Sequence, residues 1–234
     1  MLKNFKMSTI ISICLGTITL LCRAVLYFIL SDRVASVVEE KVTDNMMTVI
    51  NSQGDIIELY VSDSEKFMIE YASADEVKNI LNDPGNPEYI TAAQAYTEKY
   101  FSNLDEWEGV YISDWNTKVL AHASPGAVGM VTRTGDALIP YRATMSDSPN
   151  GFYNGGAFVS PASGQLIFNL RMAVYNDDGE PIGLVGGGPF LSGLNKILDS
   201  LKPAGAENAE YAILDTTNML YTYHTDNNMI MQPI

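Results

Sequence analysis

Between Lys6 and Ser31 the chain is apolar almost without interruption, with Arg23 the one charge among aliphatic, aromatic and small hydroxyl side chains. Residues 8–30 predict a membrane-crossing helix: at 1.5 Å per residue they make roughly 35 Å, enough to cross a hydrocarbon core of about 30 Å with some tilt. Arg23 sits off the midpoint, where its long stem lets the guanidinium snorkel outward. The alternative is a cleaved signal peptide, with Cys22 and Ala24 as the small residues before the cut. The apolar run continues through residues 25–30, which favours an uncleaved anchor.

Beyond the span the spacing changes. Val34, Val38, Val42, Met46, Val49, Gln53, Ile56, Tyr60, Ser64, Phe67 and Tyr71 follow one another in steps of three or four, so one stripe runs along a helix of residues 34–71, with Gln53 and Ser64 its polar members. Such a stripe lies against a folded domain or against a second copy of the same helix, and the second choice predicts a homodimer through the long helix. Gly54 weakens a strict coiled coil, so any coiling is expected before it. Two shorter helices are expected from capping boxes, Ser73 with Glu76 opening one to residue 82 and Thr91 with Gln94 opening another to residue 104. The turn-rich residues 83–87 separate them.

From Glu108 the period falls to two. Residues 108–113 and 118–123 around the turn 114–117 predict a hairpin, and further strands are expected at 156–159, 165–175 and 182–187, separated by turn residues at 161–164 and 176–179. Residues 124–156 are irregular and rich in Gly, Pro, Ser and Asp around a short helix near 137–145, and such a stretch inside a domain is more often functional than filler. A helix over 191–201 ends at the breakers 202–205. Residues 213–224 then repeat the hairpin 111–122: strand, turn, strand, histidine. The two histidines of the chain, His122 and His224, close the two copies. The second copy stops ten residues after His224 without the later strands of the first, which leads to the expectation that the chain is the front part of a longer protein.

Charge adds direction. The 28 acids outnumber the 14 Lys and Arg, and none of the acids lies in the first 30 residues, where Lys3, Lys6 and Arg23 do. Basic residues before the span put the N-terminus in the cytoplasm and residues 31–234 outside the cell. The acidic bulk argues against a nucleic-acid partner. Cys14 and Cys22 both fall in the span, so the outer part has no disulfide and no cysteine metal site. The organisation expected is therefore a cytoplasmic end (1–7), a membrane anchor (8–30), a long stalk helix (31–64), a membrane-distal module (65–201) and the start of a membrane-proximal one (202–234).

This order of span, long helix, hairpin, variable loop, three strands and second hairpin resembles the double Cache sensor domains of bacterial transmembrane receptors. The resemblance is strongest at residues 155–165, where a strand meets a small-residue turn at Gly164, and at 172–188, where a strand, an Asp178-Gly179 turn and a glycine-rich strand follow one another. It implies an α+β fold of PAS-like antiparallel sheets along a long helix, with a ligand pocket in the distal module, in chemotaxis receptors, sensor histidine kinases or diguanylate cyclases. Family members that bind amino acids carry an Arg-containing aromatic element, a later aromatic and an Asp that holds the ammonium group. Tyr141-Arg142 and Phe158 are the nearest matches to the first two, and Gly188 stands where the Asp would be, so amino-acid sensing is not carried over.

The candidate ligand-binding residues are Tyr141, Arg142, Tyr153, Phe158 and Arg171. A guanidinium at 142 or 171 would fork onto a carboxylate, and the aromatics would stack on a ligand. The competing reading makes Arg142 a surface arginine paired with an acid, and makes Tyr153, Phe158, Tyr111 and His122 core or surface residues. The glycine-rich residues 183–188 lack the Lys-Ser/Thr tail of a phosphate loop and read as a close-packed strand before a helix opened by Pro189. Asp177 and Asp178 read as a turn rather than a calcium site. No nucleophile, zinc or general acid–base motif is present. The chain is thus expected to be a non-enzymatic sensor of a small molecule, needing no cofactor or metal, with a surface-anchored binding protein as the rival.

Overall fold

The computed structural model describes residues 7–160, 163–200, 212–216, 218–224 and 226–234. The chain divides into two units, Met1–Ser52 and Gln53–Ile234. One helix, α1 (Met7–Ser73), contributes to both. Its portion in the first unit is exposed on nearly every side, including Leu20, Phe28, Val34, Val38 and Ile50, and it is long and apolar enough to cross a membrane. The chain continues helical through Gly54.

The second unit is built on a five-stranded antiparallel sheet: β1 (Trp107–Asp114), β2 (Val119–His122), β3 (Phe152–Val159), β4 (Leu166–Tyr175) and β5 (Pro181–Pro189), in the order β2-β1-β5-β4-β3. One face carries Val110, Ile112, Ala121, Leu170, Val174 and Val185, packed against Met68, Tyr71 and Ala72 of α1, Val77, Ile80 and Leu81 of α2 (Asp75–Asn82) and Ala93 of α3 (Pro87–Phe101). The other face carries Tyr111, Ala173, Leu184, Tyr153 and Tyr175 under α4 (Leu138–Asp147). The alternation of the strands thus separates two apolar surfaces, one for the helices and one for α4. A third cluster joins Leu191, Leu194 and Leu198 of α5 (Leu191–Ser200) to Ile56, Ile57 and Tyr60 of α1. There burial and the Glu106 carboxylate push the Tyr60 phenol up to about 12.

Several local expectations are corrected. Burial on α1 begins at Gln53, and the buried aromatic-end residues are Met68 and Tyr71, while Phe67 stays 40% exposed with its ring edge-on to Trp107. Gln53, Ser64 and Tyr71 of the stripe are buried, and Tyr71 stacks on Tyr96 and lies tilted against Tyr100. Neither capping box forms. Ser73 bonds back to the Glu70 carbonyl and Ala74 caps α2 without a side-chain bond. α3 starts earlier than Thr91, at Pro87, with the Asn86 side chain accepting from the Glu88 amide at 3.0 Å. A proline at the first helical position needs no partner for a missing N–H, so Asn86-Pro87 outcompetes the later box. Pro189 ends β5 rather than opening α5.

The repeat seen in the sequence holds at the level of hydrogen bonds. β6 (Ala212–Asp215) and β7 (Leu220–His224) form a second antiparallel hairpin. In the first hairpin Val119 donates to Met130 and accepts from Gly129, with a bridge between Lys118 and Val131; in the second Tyr221 donates to Gln232 and accepts from Met231, with a bridge between Leu220 and Pro233. Thr117 and Met219 occupy the same left-handed turn position, at φ of 63° and 55°. His122 Nδ1 accepts the Ser124 amide at 2.8 Å and His224 Nδ1 the Asp226 amide at 2.9 Å. The first hairpin pairs onward with β5, whereas among the described residues β6 has no second strand partner. The helix end and breakers expected at 201–205 lie outside the described residues.

Candidate functional site

Strand register lines up five residues across the whole sheet. His122 faces Tyr111, Tyr111 faces Gly186, Gly186 faces Arg171, and Arg171 faces Tyr153, so every strand contributes one member to a single row on the α4 face. Glycine at 186 lets the Tyr111 ring lie across the strand, and a Cβ at that position would force the ring to shift. Tyr111 is stacked on the other side by His122, with ring centroids 5.9 Å apart and 9° between planes.

Above the row, α4 brings down Tyr141 and Met145, both buried. The Arg171 guanidinium carbon lies 4.9 Å from the Tyr141 ring centroid, and that of Arg133, from the irregular segment before α4, lies 4.0 Å from the same centroid. Each is a cation–π contact. Burial and the neighbouring Tyr111 phenol raise the Tyr141 pKa well above the usual tyrosine range, with Arg171 and Arg133 opposing. Tyr141 is therefore a neutral hydrogen-bonding group at ordinary pH. Arg171 is 8% exposed, and its buried Nε has no hydrogen-bond partner. A desolvated guanidinium with a free N–H is costly unless an anion meets it.

Of the five residues expected from sequence, three meet here: Tyr141, Tyr153 and Arg171. Arg142 is engaged elsewhere, its Nε donating to the Trp115 carbonyl at 2.8 Å and its Nη2 to Asn116 Oδ1 at 2.6 Å, so it ties α4 to the β1–β2 turn. Among the described residues it has no acid partner of the kind a surface arginine was expected to find. Phe158 is 41% exposed and pairs with Ile167, four residues down β4 from Arg171, or about 13 Å at strand rise. Tyr111, for which the sequence favoured a core or surface role, completes the group with Arg133, Met145 and Gly186, which the sequence did not mark as ligand residues. For Tyr111 a signal existed in the alternation of residues 108–113; for Arg133 none did, because the irregular segment has no period from which a direction can be read.

His122 borders the row and carries a pH dependence. Burial lowers its pKa below 6.5, the Glu108 carboxylate acting against that shift, and its Nδ1 is occupied as an acceptor by the Ser124 amide. The unfolded chain takes up this proton near pH 6.5 while the folded chain resists it, so the stability contribution is complete above 6.5 and is lost as pH falls through the lower folded value. Thermal melts at pH 7.5 and 5.0 should show a smaller acid loss in His122→Asn, whose Oδ1 can keep the Ser124 bond without titrating, than in the unmodified protein. An equal loss in both would exclude His122 as a source of it.

No protein-family model matches the sequence, and no curated protein does either. Solved structures share the fold. The sensor domain of the Vibrio cholerae histidine kinase DctB is similar with a TM-score of 0.65 at 12% identity, over 82% of this chain and 69% of that one. The ligand-binding domain of the Campylobacter jejuni chemoreceptor Tlp3, solved with 4-methylisoleucine, is similar with a TM-score of 0.59 at 19% identity, over 82% and 72%. That of the Pseudomonas fluorescens chemoreceptor CtaA, solved with L-isoleucine, gives 0.53 at 19%, over 78% and 68%. The chain has the α+β fold of Cache-type sensor domains.

Proposed function

We propose that this chain is the sensory portion of a bacterial membrane receptor and that a small molecule binds on the α4 face of its sheet, between Arg171, Tyr141, Arg133, Tyr111 and Tyr153. The observation that carries this reading is the buried Arg171, whose Nε is unpartnered within a row to which all five strands contribute. The solved domains of the same fold, from a histidine kinase and from chemoreceptors, support a signalling role. A chemotaxis receptor is the favoured output and a histidine kinase or diguanylate cyclase the second. Residues 8–30 would anchor the chain, residues 31–234 would lie outside the cell, and two copies would meet along α1.

The sheet supplies a route for the signal. Residues 170 to 174 of β4 alternate between the ligand face and the face on which Met68 and Tyr71 of α1 are packed. A ligand that favours one packing of α4 would change the balance between two arrangements of the sheet against α1. Signalling by this route requires that the ligand bind one arrangement more tightly than the other.

The test is a thermal-shift screen of the full chain in detergent micelles against organic acids, amino acids, amines and purines. A ligand at a hundred times its Kd should stabilise by about 2.7 kcal/mol, a rise of roughly 5–10 °C. Tyr141→Ala should abolish the rise. Stabilisation by a ligand that is unchanged in Tyr141→Ala would remove this face as the site.

A further inference from the structure

The arginines of the α4 face have no counter-ion among the described residues. Among the described residues the ion pairs are Lys66 with Asp63 and Lys196 with Glu106, and neither touches Arg133, Arg142 or Arg171. This occurs in a chain with twice as many acids as basic residues, where a carboxylate partner would be easy to find. The buried apolar cluster that holds Tyr141 also contains Met145, Ala173 and Leu184, with Tyr111, Tyr153 and Tyr175 packed against it. The charges acting on Tyr141 come from Arg171 and Arg133, with Tyr111 the remaining titratable neighbour.

Such a face is selective in two ways. A carboxylate finds at Arg171 an unused and buried N–H, in a site whose other charge, Arg133, is also positive and lies 4.0 Å from the centroid of the same tyrosine ring. An ammonium group on the same small molecule would be desolvated beside like charge with no carboxylate to receive it. The tyrosine faces offer it partial compensation, but Arg171 and Arg133 already occupy the Tyr141 ring. Resting on the site proposed above, we infer that the ligand is a small organic acid that carries no amino group, in contrast to the amino acids held in the solved Tlp3 and CtaA domains.

Matched pairs that differ only in the amine test this on the full chain: 3-methylbutanoate against L-valine, succinate against L-aspartate, and 3-phenylpropanoate against L-phenylalanine, by thermal shift. At least one acid should stabilise saturably with an apparent affinity ten-fold or more above that of its amino counterpart. Arg171→Met should abolish that response while itself folding, since it removes an unpaired buried charge. Arg133→Gln should weaken it about ten-fold, a variant that remains informative if Arg171→Met does not fold. An amino acid that binds as well as or better than its acid, with the same dependence on Arg171, overturns the ligand class and leaves the site standing. Acid binding that neither substitution changes overturns the site and the class together. No response to any of the acids overturns the class, and the broader screen with Tyr141→Ala then judges the site.

Discussion

Replacing Gly188 by alanine is expected to be the most damaging single-methyl change in the sheet. A Cβ there would land on the carbonyl oxygen of Phe168, and the obstacle is backbone, which cannot swing aside as a side chain can. β4 and β5 would have to separate where Leu170 faces Gly187, next to the row that carries Arg171. The cost should be about 3 kcal/mol or more. Thermal melting of the full chain should show the midpoint lowered by roughly 6–12 °C. Gly126→Ala, with nothing within 4 Å of the added carbon, is the control and should leave the midpoint within about 2 °C. A Gly188→Ala protein that melts like the control would mean that the strands are not this close.

Tyr71→Ala should destabilise comparably from the opposite face. Tyr71 is fully buried, its ring is stacked with Tyr96 at 5.6 Å and tilted against Tyr100 at 5.0 Å, and its phenol is 2.7 Å from Thr97 Oγ1. Burial first of all raises its pKa far above the ordinary tyrosine range, so it keeps its proton throughout the accessible pH range. Removing the ring leaves a cavity where α1, α2 and α3 meet the sheet, at about 3–5 kcal/mol and roughly 6–20 °C in the melt. Tyr71→Phe keeps the stack and should cost only about 1 kcal/mol, since Thr97 still bonds the Ala93 carbonyl. Equal losses in the two variants would assign the stability to the hydroxyl pair and not to the stack. Because Tyr71 lies on the helix face of the sheet, Tyr71→Phe should leave ligand affinity within about two-fold, in contrast to Arg171→Met.

The elements were legible wherever a period was long enough to count. The helix through residues 34–71, the strands around 108–122, 165–175 and 182–187, and the second hairpin all stand close to where alternation and turn residues place them. Helix starts were less legible, because a capping box is a local pattern that a neighbouring Asn-Pro pair can displace, as Asn86-Pro87 displaced Thr91 with Gln94. The repeat is a stronger case: the histidine-ended pattern carried enough information that even the Nδ1 acceptor bond recurs in both copies.

The site divides differently. Tyr141, Tyr153 and Arg171 were nameable from their chemistry, an aromatic or a guanidinium that a ligand could use, while Tyr153 lay in the irregular stretch and the face of Arg171 in its strand was open. Arg142 turned away because neighbours on a helix point about 100° apart, so when Tyr141 faces the sheet Arg142 is free to bond the Trp115 turn. Phe158 fell out of reach along β4, a matter of register and not of residue type. Local sequence therefore determined the long helix, the antiparallel strands, the apolar span and the chemistry available to the candidate residues, since helix and strand periods and side-chain charge are properties of neighbours in the chain. The tertiary structure alone decided which of those residues share a face. Pairing across β1, β5, β4 and β3 joins positions tens of residues apart, and a shift by one residue would send Arg171 to the other side of the sheet.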